Sequence, residues 1–296
     1  MPMAAVDAAD EIDASMIGNE GPMCPQNAVG ACPVGYVLVP NTCEFTAGEF
    51  CIAKYEAKVV SGAAQSIAAG TPTGNITTAA AKAACAANGA RYHLVTNEEW
   101  MATARAIEAT ADNWSTTTPP FLSKGNTDAC GPCPQSLTCP NQASADTTPC
   151  IGTKVATCTD RADASFRFNR TAKIGTNGVI WDLSGNMFEL IDRPMTMNAT
   201  EGGHPGQPIN ATTGASFSPA WPDAKYKSAN TSHTDDPDMT TQAAVNNVGL
   251  LYVTSPTESP VVTRGGDFCG FAGVYAIGLL RTSELLGNVG FRCAYK

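Results

Sequence analysis

The sequence predicts a globular domain that mixes short strands, two helices and long irregular loops. Three observations carry that expectation. The 296 residues are 43% hydrophobic and only 15% charged, with 20 Pro and 27 Gly, which suits neither a disordered polyampholyte nor a coiled coil. Runs of strand composition stand near both ends of the chain, with helical patterning between them. Two stretches, at about 113–160 and 194–247, are dominated by Thr, Pro, Ser, Asn and Gly and follow neither a strand nor a helix period. The length allows one elaborated domain or two small ones, either able to bury a core.

Residues 1–31 are polar and short of large apolar side chains, so they read as a tail or linker. Val34-Gly-Tyr-Val-Leu-Val-Pro40 has strand composition and a terminating Pro, and Phe50 to Val60 reads as a second strand paired with it. Thr78 to Asn88 is Ala-rich and stops at Gly89, which predicts a short helix. Thr96-Asn-Glu-Glu99 is a capping box, in which hydroxyl and carboxylate each satisfy an orphan amide. Trp100, Ala104, Ile107 and Ala111 then form the apolar face of a second helix. Gly178 to Ile191 is an apolar block whose Ser184-Gly-Asn186 centre marks a tight turn. Tyr252–Thr254, Val261–Gly266 and Gly290–Tyr295 close the chain as strands, whereas the residues between Asp267 and Asn288 fit no period and are expected to be irregular. There is no internal repeat.

A formal charge of −9, with 18 basic residues scattered among 27 acidic ones, argues against nucleic acid and anionic membrane as partners. No run reaches the roughly 18 apolar residues of a membrane span. Met1 to Asp13 lacks the basic and apolar regions of a signal peptide. The 12 cysteines, Cys24, Cys32, Cys43, Cys51, Cys85, Cys130, Cys133, Cys139, Cys150, Cys158, Cys269 and Cys293, are nevertheless even in number and loop-rich in setting. They favour disulfides, export, and a leader outside this chain. Zinc is the alternative for Cys130-Gly-Pro-Cys133 with Cys139, but no His lies near and the spacings are irregular. Spacing does not give connectivity; Cys51 with Cys85, and Cys293 with an earlier cysteine, are the guesses.

Conventional catalytic motifs are missing: there is no phosphate loop, no His-Glu-x-x-His and no Gly-x-Ser-x-Gly. His93, His204 and His233 sit in unlike segments and read as solvated or satisfied. The acidic run Asp235-Asp-Pro-Asp238 reads as solvated loop.

Six motifs occur in one order: Cys32–Pro40, Phe50–Glu56, Asn88–Trp100, Leu183–Glu189, Arg264-Gly-Gly266 and Gly290-Phe-Arg-Cys293. Together they resemble the formylglycine-generating-enzyme type of C-type lectin fold over roughly 34–296. The resemblance implies an α+β domain of two helices and a twisted antiparallel sheet, with long Cys-rich insertions and terminal strands lying close together. Its oxidases hold copper with two cysteines, with four residues between them, after Arg-Gly-Gly. Here Cys269 stands alone, and the second thiol would fall near Val274 or Tyr275. A single thiolate is a poor Cu(I) site.

Ala272-Gly-Val-Tyr-Ala-Ile-Gly-Leu-Leu-Arg281, followed by Asn288-Val-Gly-Phe-Arg-Cys293, resembles instead the variable proteins of diversity-generating retroelements. In that family, adenine-directed copying errors randomise codons of a ligand-binding surface. The resemblance implies fixed scaffold at Ala272, Gly273, Val274, Ala276, Leu279, Gly290, Phe291 and Arg292 within a variable region of about 264–296. The ligand-contacting positions would be Asp267, Phe268, Cys269, Gly270, Phe271, Tyr275, Gly278, Leu280, Arg281, Ser283, Glu284, Leu285, Leu286 and Asn288. Their mixture of apolar anchors with a charged rim has hot-spot composition, although the same apolar residues could be ordinary core under irregular loops.

The fold's enzymes also bind calcium around a Gly-Asn-x-x-Glu turn. The matching oxygens here are the carboxylates of Asp182 and Glu189 and the carbonyls of Gly185 and Met187. Glu189 could equally pair with Arg292 or Arg264. The function expected is therefore a non-enzymatic binding protein, extracellular or on a cell or virion surface. It would be a monomer that takes a protein or surface-molecule ligand and requires no cofactor, with calcium as an option. A copper oxidase and a calcium-dependent adhesin are the alternatives.

Overall fold

A strand buried on both faces loses the alternation that marks a half-buried one. This is the case for β2, in which all of Phe50–Ala53 is buried. The computed structural model describes residues 28–41, 47–118, 120–127, 146–150, 157–193, 251–253, 261–268, 272–280 and 287–296. The expectations for 1–27, for Cys130, Cys133 and Cys139, for most of both long insertions, and for His204, His233 and Asp235–Asp238 lie outside these residues.

β1 (Tyr36–Val39) pairs antiparallel with β2 (Phe50–Ala53), Tyr36 opposite Ala53. β3 (Lys58–Val60) and β4 (Ala63–Gln65) form a small hairpin. α1 (Thr78–Ala86), β5 (Tyr92–Leu94) and α2 (Asn97–Glu108) follow. After them come β6 (Thr171–Lys173), β7 (Val179–Trp181), β8 (Phe188–Leu190), β9 (Leu251–Val253), β10 (Val261–Gly266), β11 (Ala272–Leu280), β12 (Val289–Phe291) and β13 (Cys293–Tyr295). The result is a mixed α+β architecture. Among the described residues, one sheet runs β1-β2-β13-β5 and a larger one runs β12-β8-β10-β11-β9, while β3-β4 and β6-β7 pair separately. The C-terminal strand β13 lies against β2, so the two ends of the domain meet in one sheet.

The capping box of α2 forms as expected: Glu99 N–H donates to Thr96 Oγ1 at 3.2 Å and Thr96 N–H donates to Glu99 Oε2 at 2.9 Å. Trp100, Ala104 and Ile107 are buried against Val37, Val39, Phe50, Ile52, Val262 and Val274, forming one core cluster. A second cluster joins Ala81, Ala84 and Cys85 of α1 to Leu94, Phe188, Leu190, Leu280, Val289 and Phe291. The Cys85–Cys293 disulfide crosses this second cluster and closes 208 residues of chain. A loop of that length restricts the unfolded chain strongly.

Several expectations are corrected. Phe50 to Val60 is two strands, because Glu56 and Ala57 turn into the interior and Ala57 N–H donates to Phe291 O at 2.8 Å. Gly290 to Tyr295 is also two strands, which change sheets at the fully buried Arg292. The stretch expected to be irregular contains the nine-residue β11; its neighbours β10 and β9 flank it, and buried residues on both faces remove the alternation. Ala111 leaves the helical face, because α2 ends at Glu108 and Ala111 lies exposed in a 3-10 turn. Cys51 pairs with Cys32, not Cys85, and the remaining described bridge is Cys150–Cys158. The described part of the first insertion also reaches the interior: Phe121, Leu122, Asn126, Thr127 and Asp146 are buried.

Candidate functional site

β11 is gripped through its backbone by side chains from elsewhere. The Trp100 indole N–H donates to Val274 O at 2.8 Å, and Arg264 Nη1 donates to Tyr275 O at 3.1 Å. Thr263 Oγ1 donates to Gly278 O at 3.2 Å. A backbone carbonyl is present whatever the side chain, so the Trp100 and Arg264 anchors do not read residue identity in β11, whereas the Thr263 anchor requires glycine at position 278. Arg264 is itself held by Asn97 at the start of α2, its Nε and Nη2 donating to Asn97 Oδ1 at 3.2 and 2.6 Å. Gly265 and Gly266 form a bulge within β10: the register shifts between Arg264 and Gly266, and both glycines have φ in the left-handed region, +80° and +74°. Gly265 O there accepts from Gly185 N–H at 2.9 Å, tying β10 to the Ser184–Asn186 turn.

The expected contact residues divide. Asp267 and Phe268 end the β10 side, both buried, and Asp267 Oδ2 accepts from the half-buried Asn288 Nδ2 at 2.9 Å. That bond brings together the two ends of the 267–288 stretch. Tyr275 is 0% exposed. Its hydroxyl donates to Glu108 Oε2, which also accepts from Arg105 Nη1 at 3.0 Å. Leu280 belongs to the second core cluster. At Gly278 an added Cβ would lie 2.2 Å from Thr263 Oγ1, so no side chain fits without displacing that residue. The surface display expected of Asp267, Phe268, Tyr275, Gly278 and Leu280 is therefore not what the structure shows: the four side chains are buried, and Gly278 has no room for one. Cys269, Gly270, Phe271, Arg281, Ser283, Glu284, Leu285 and Leu286 lie outside the described residues. Ala272, Gly273, Val274, Ala276, Gly290, Phe291 and Arg292 are all buried.

Below this stretch, the turn between β7 and β8 sits on a lattice of buried charge. Asp182 accepts from Arg170 at both oxygens, Nε at 2.8 Å and Nη2 on the other. Arg170 Nη2 also bonds Asp146, whose Oδ2 accepts from Lys58 Nζ at 2.6 Å. Glu189 accepts a forked pair from Arg292. Of the partners left open for Glu189, the structure selects Arg292. Glu56 Oε2 accepts from Asn186 Nδ2, while Glu56 Oε1 has no hydrogen-bond partner. Burial, together with the negative charges of Asp182 and Glu189, raises the Glu56 carboxyl well above the ordinary range although Arg292 opposes it. Burial likewise pushes Asp182 up to about 6 against the pull of Arg170. Gly185 adopts φ +75°, and a Cβ there would meet Lys124 O at 2.6 Å, so the turn requires glycine.

The sequence missed much of this. Glu56 and Lys58 carried a signal, being charged residues inside an otherwise apolar run, and Arg105 and Glu108 stand three apart on one helix. Asp146 and Arg170 carried none, because only the folded chain brings them together. His93 is satisfied by Glu99, at 2.8 and 3.0 Å from Nε2. Among the described residues no helix is long and apolar enough to cross a membrane.

No family model matches the chain, and no curated protein matches it. Among solved structures it is similar to Treponema denticola variable protein 1, with 12% sequence identity, coverage of 91% of this chain and 97% of that chain, and a TM-score of 0.35.

Proposed function

We propose that the chain is a non-enzymatic ligand-binding protein of receptor or adhesin type, with C-terminal surface residues diversified by a retroelement on a C-type lectin fold of the formylglycine-generating-enzyme-like subtype. The observation that carries this reading is the backbone grip on β11. Trp100, Thr263 and Arg264 hold the strand by its carbonyls, and Asp267 with Asn288 joins the ends of the stretch. Residues can then be exchanged between fixed anchors without loss of the frame. The contacts fall on Cys269, Gly270, Phe271, Arg281, Ser283, Glu284, Leu285, Leu286 and Asn288, with the buried Asp267, Phe268, Tyr275 and Leu280, together with Gly278, kept as frame. Recognition is non-covalent, and affinity comes from preorganisation and a few aromatic or aliphatic contacts.

An oxidase reading is disfavoured by the same geometry. The positions at which the oxidases would carry a second thiol, Val274 and Tyr275, are packed into the core. The three described disulfides fit an oxidising compartment, such as the outside of a cell or the surface of a virion. The partner is a protein or surface molecule met by a monomer.

The test is the DNA flanking the gene. The expected result is a near-copy of the codons for residues 267–293 beside a reverse-transcriptase gene, differing at adenines and mainly in codons 269–271 and 281–288. Absence of a copy, or differences concentrated at the buried codons 264, 274, 291 and 292, would overturn the reading.

A further inference from the structure

Three of the four groups that a calcium ion would use in this fold, Asp182, Glu189 and Gly185 O, already have donors. Asp182 gives both carboxylate oxygens to Arg170, and Glu189 gives both to Arg292. Arg292 Nη2 further donates to the carbonyls of Trp181 and Asp182 at 3.1 and 3.0 Å, and its Nη1 donates to Ala53 O at 3.2 Å. Gly185 O accepts from Met187 N–H at 2.9 Å. Among the described residues, no group of three or more His, Cys, Asp or Glu side chains is placed to hold a metal ion.

We propose that the guanidinium groups of Arg170 and Arg292 take the place of a bound cation in this turn, so that the frame beneath the C-terminal stretch is built without calcium. Arg170 does what a bridging divalent ion does elsewhere. It joins a carboxylate of the turn, Asp182, to one from a distant segment, Asp146, and all three side chains are essentially inaccessible. Arg292 does the same for Glu189 and the carbonyl oxygens of the adjoining backbone. A guanidinium is planar, always charged and weakly hydrated, so it can be buried in a fixed fork where an ammonium or a hydrated ion would lose more solvation. Charge balance points the same way. Glu56, Asp146, Asp182 and Glu189 face Lys58, Arg170 and Arg292, leaving one formal negative charge, and a divalent ion would reverse its sign in a site without solvent to screen it.

The inference stands apart from the ligand, and so does its test. The full chain is dialysed against EDTA and then into metal-free buffer, and its Tm is followed with calcium, with EDTA and with neither, alongside calorimetric titration with calcium alone. The expected result is one Tm in all three conditions and no binding heat. A Tm that rises with calcium, as mass action requires of any ion that binds only the folded state, or calcium retained through dialysis, would overturn the proposal. The variant R170Q frees both oxygens of Asp182 and Oδ1 of Asp146, whose Oδ2 stays with Lys58, and its Tm is expected to rise with calcium. A folded R170Q indifferent to calcium would also count against the substitution of guanidinium for metal. If R170Q does not fold, the wild-type titration decides.

Discussion

The β7–β8 turn and strand β11 lie on either side of the Gly185–Gly265 hydrogen bond, yet they are held in opposite ways. The turn is fixed by side chain against side chain: Arg170 with Asp182 and Asp146, Arg292 with Glu189, Asn186 with Glu56. Each partner is specified by identity, and each is buried. β11 is fixed by side chain against backbone, with the donors supplied by α2 and β10. An anchor that grips carbonyls survives changes of sequence in the gripped segment, whereas a buried ion pair does not survive the loss of either member. Both kinds of anchor therefore belong to the frame, and the proposed contact positions lie outside β11, in 269–271 and 281–288.

The largest effect is expected at Arg292. R292Q leaves Glu189 buried without its fork, and a loss of about 3–5 kcal/mol is expected in urea denaturation, enough to unfold a marginal domain. A smaller effect marks the exception within β11, where Tyr275 is held by its side chain as well as its carbonyl. Y275F removes a donor from the buried Glu108 and should lower stability by about 1–3 kcal/mol. L286A, at a proposed contact position, should stay within about 0.5 kcal/mol of wild type in the same assay. Equal losses at both positions would erase the distinction between frame and contact surface.

The smallest effect is one of pH. Glu56 and Asp182 hold protons more tightly folded than unfolded, so the folded state binds the extra protons and stability falls as pH rises. For Asp182 the window runs from the usual carboxylate range up to about 6, and for Glu56 it extends well above that range. His93 adds to the same slope. Burial alone would lower it, but its bond to Glu99 leaves it raised, and that contribution is lost as pH climbs through its folded value. Tm should therefore decline as pH rises from the carboxylate range through about 6 and onward, and E56Q should flatten the decline while matching wild type at the acid end. An unchanged slope in E56Q would remove Glu56 from the lattice's charge balance.

Legibility in the sequence followed the range of the interactions. The capping box of α2 needs only Thr96 and Glu99, so it could be read directly, as could the apolar anchors Trp100, Ala104 and Ile107. The turn at Ser184–Asn186 was equally local. β11 was misread because burial on both faces erases period, and the single strand expected over Phe50–Val60 failed because Glu56 turns inward to meet Asn186, 130 positions away.

Legible from the chain alone were the mixed helix-and-strand class, both helices, the strands at Tyr36–Val39, Phe50–Ala53 and Val261–Gly266, and Arg292 as a partner open to Glu189. These depend on neighbours within a few residues or on composition. Long-range contacts place Tyr275 and Leu280 in the interior, join Cys85 to Cys293, and make Arg170 the bridge between Asp146 and Asp182. Burial and charge pairing are properties of surfaces brought together, and no local pattern records which distant surface will arrive.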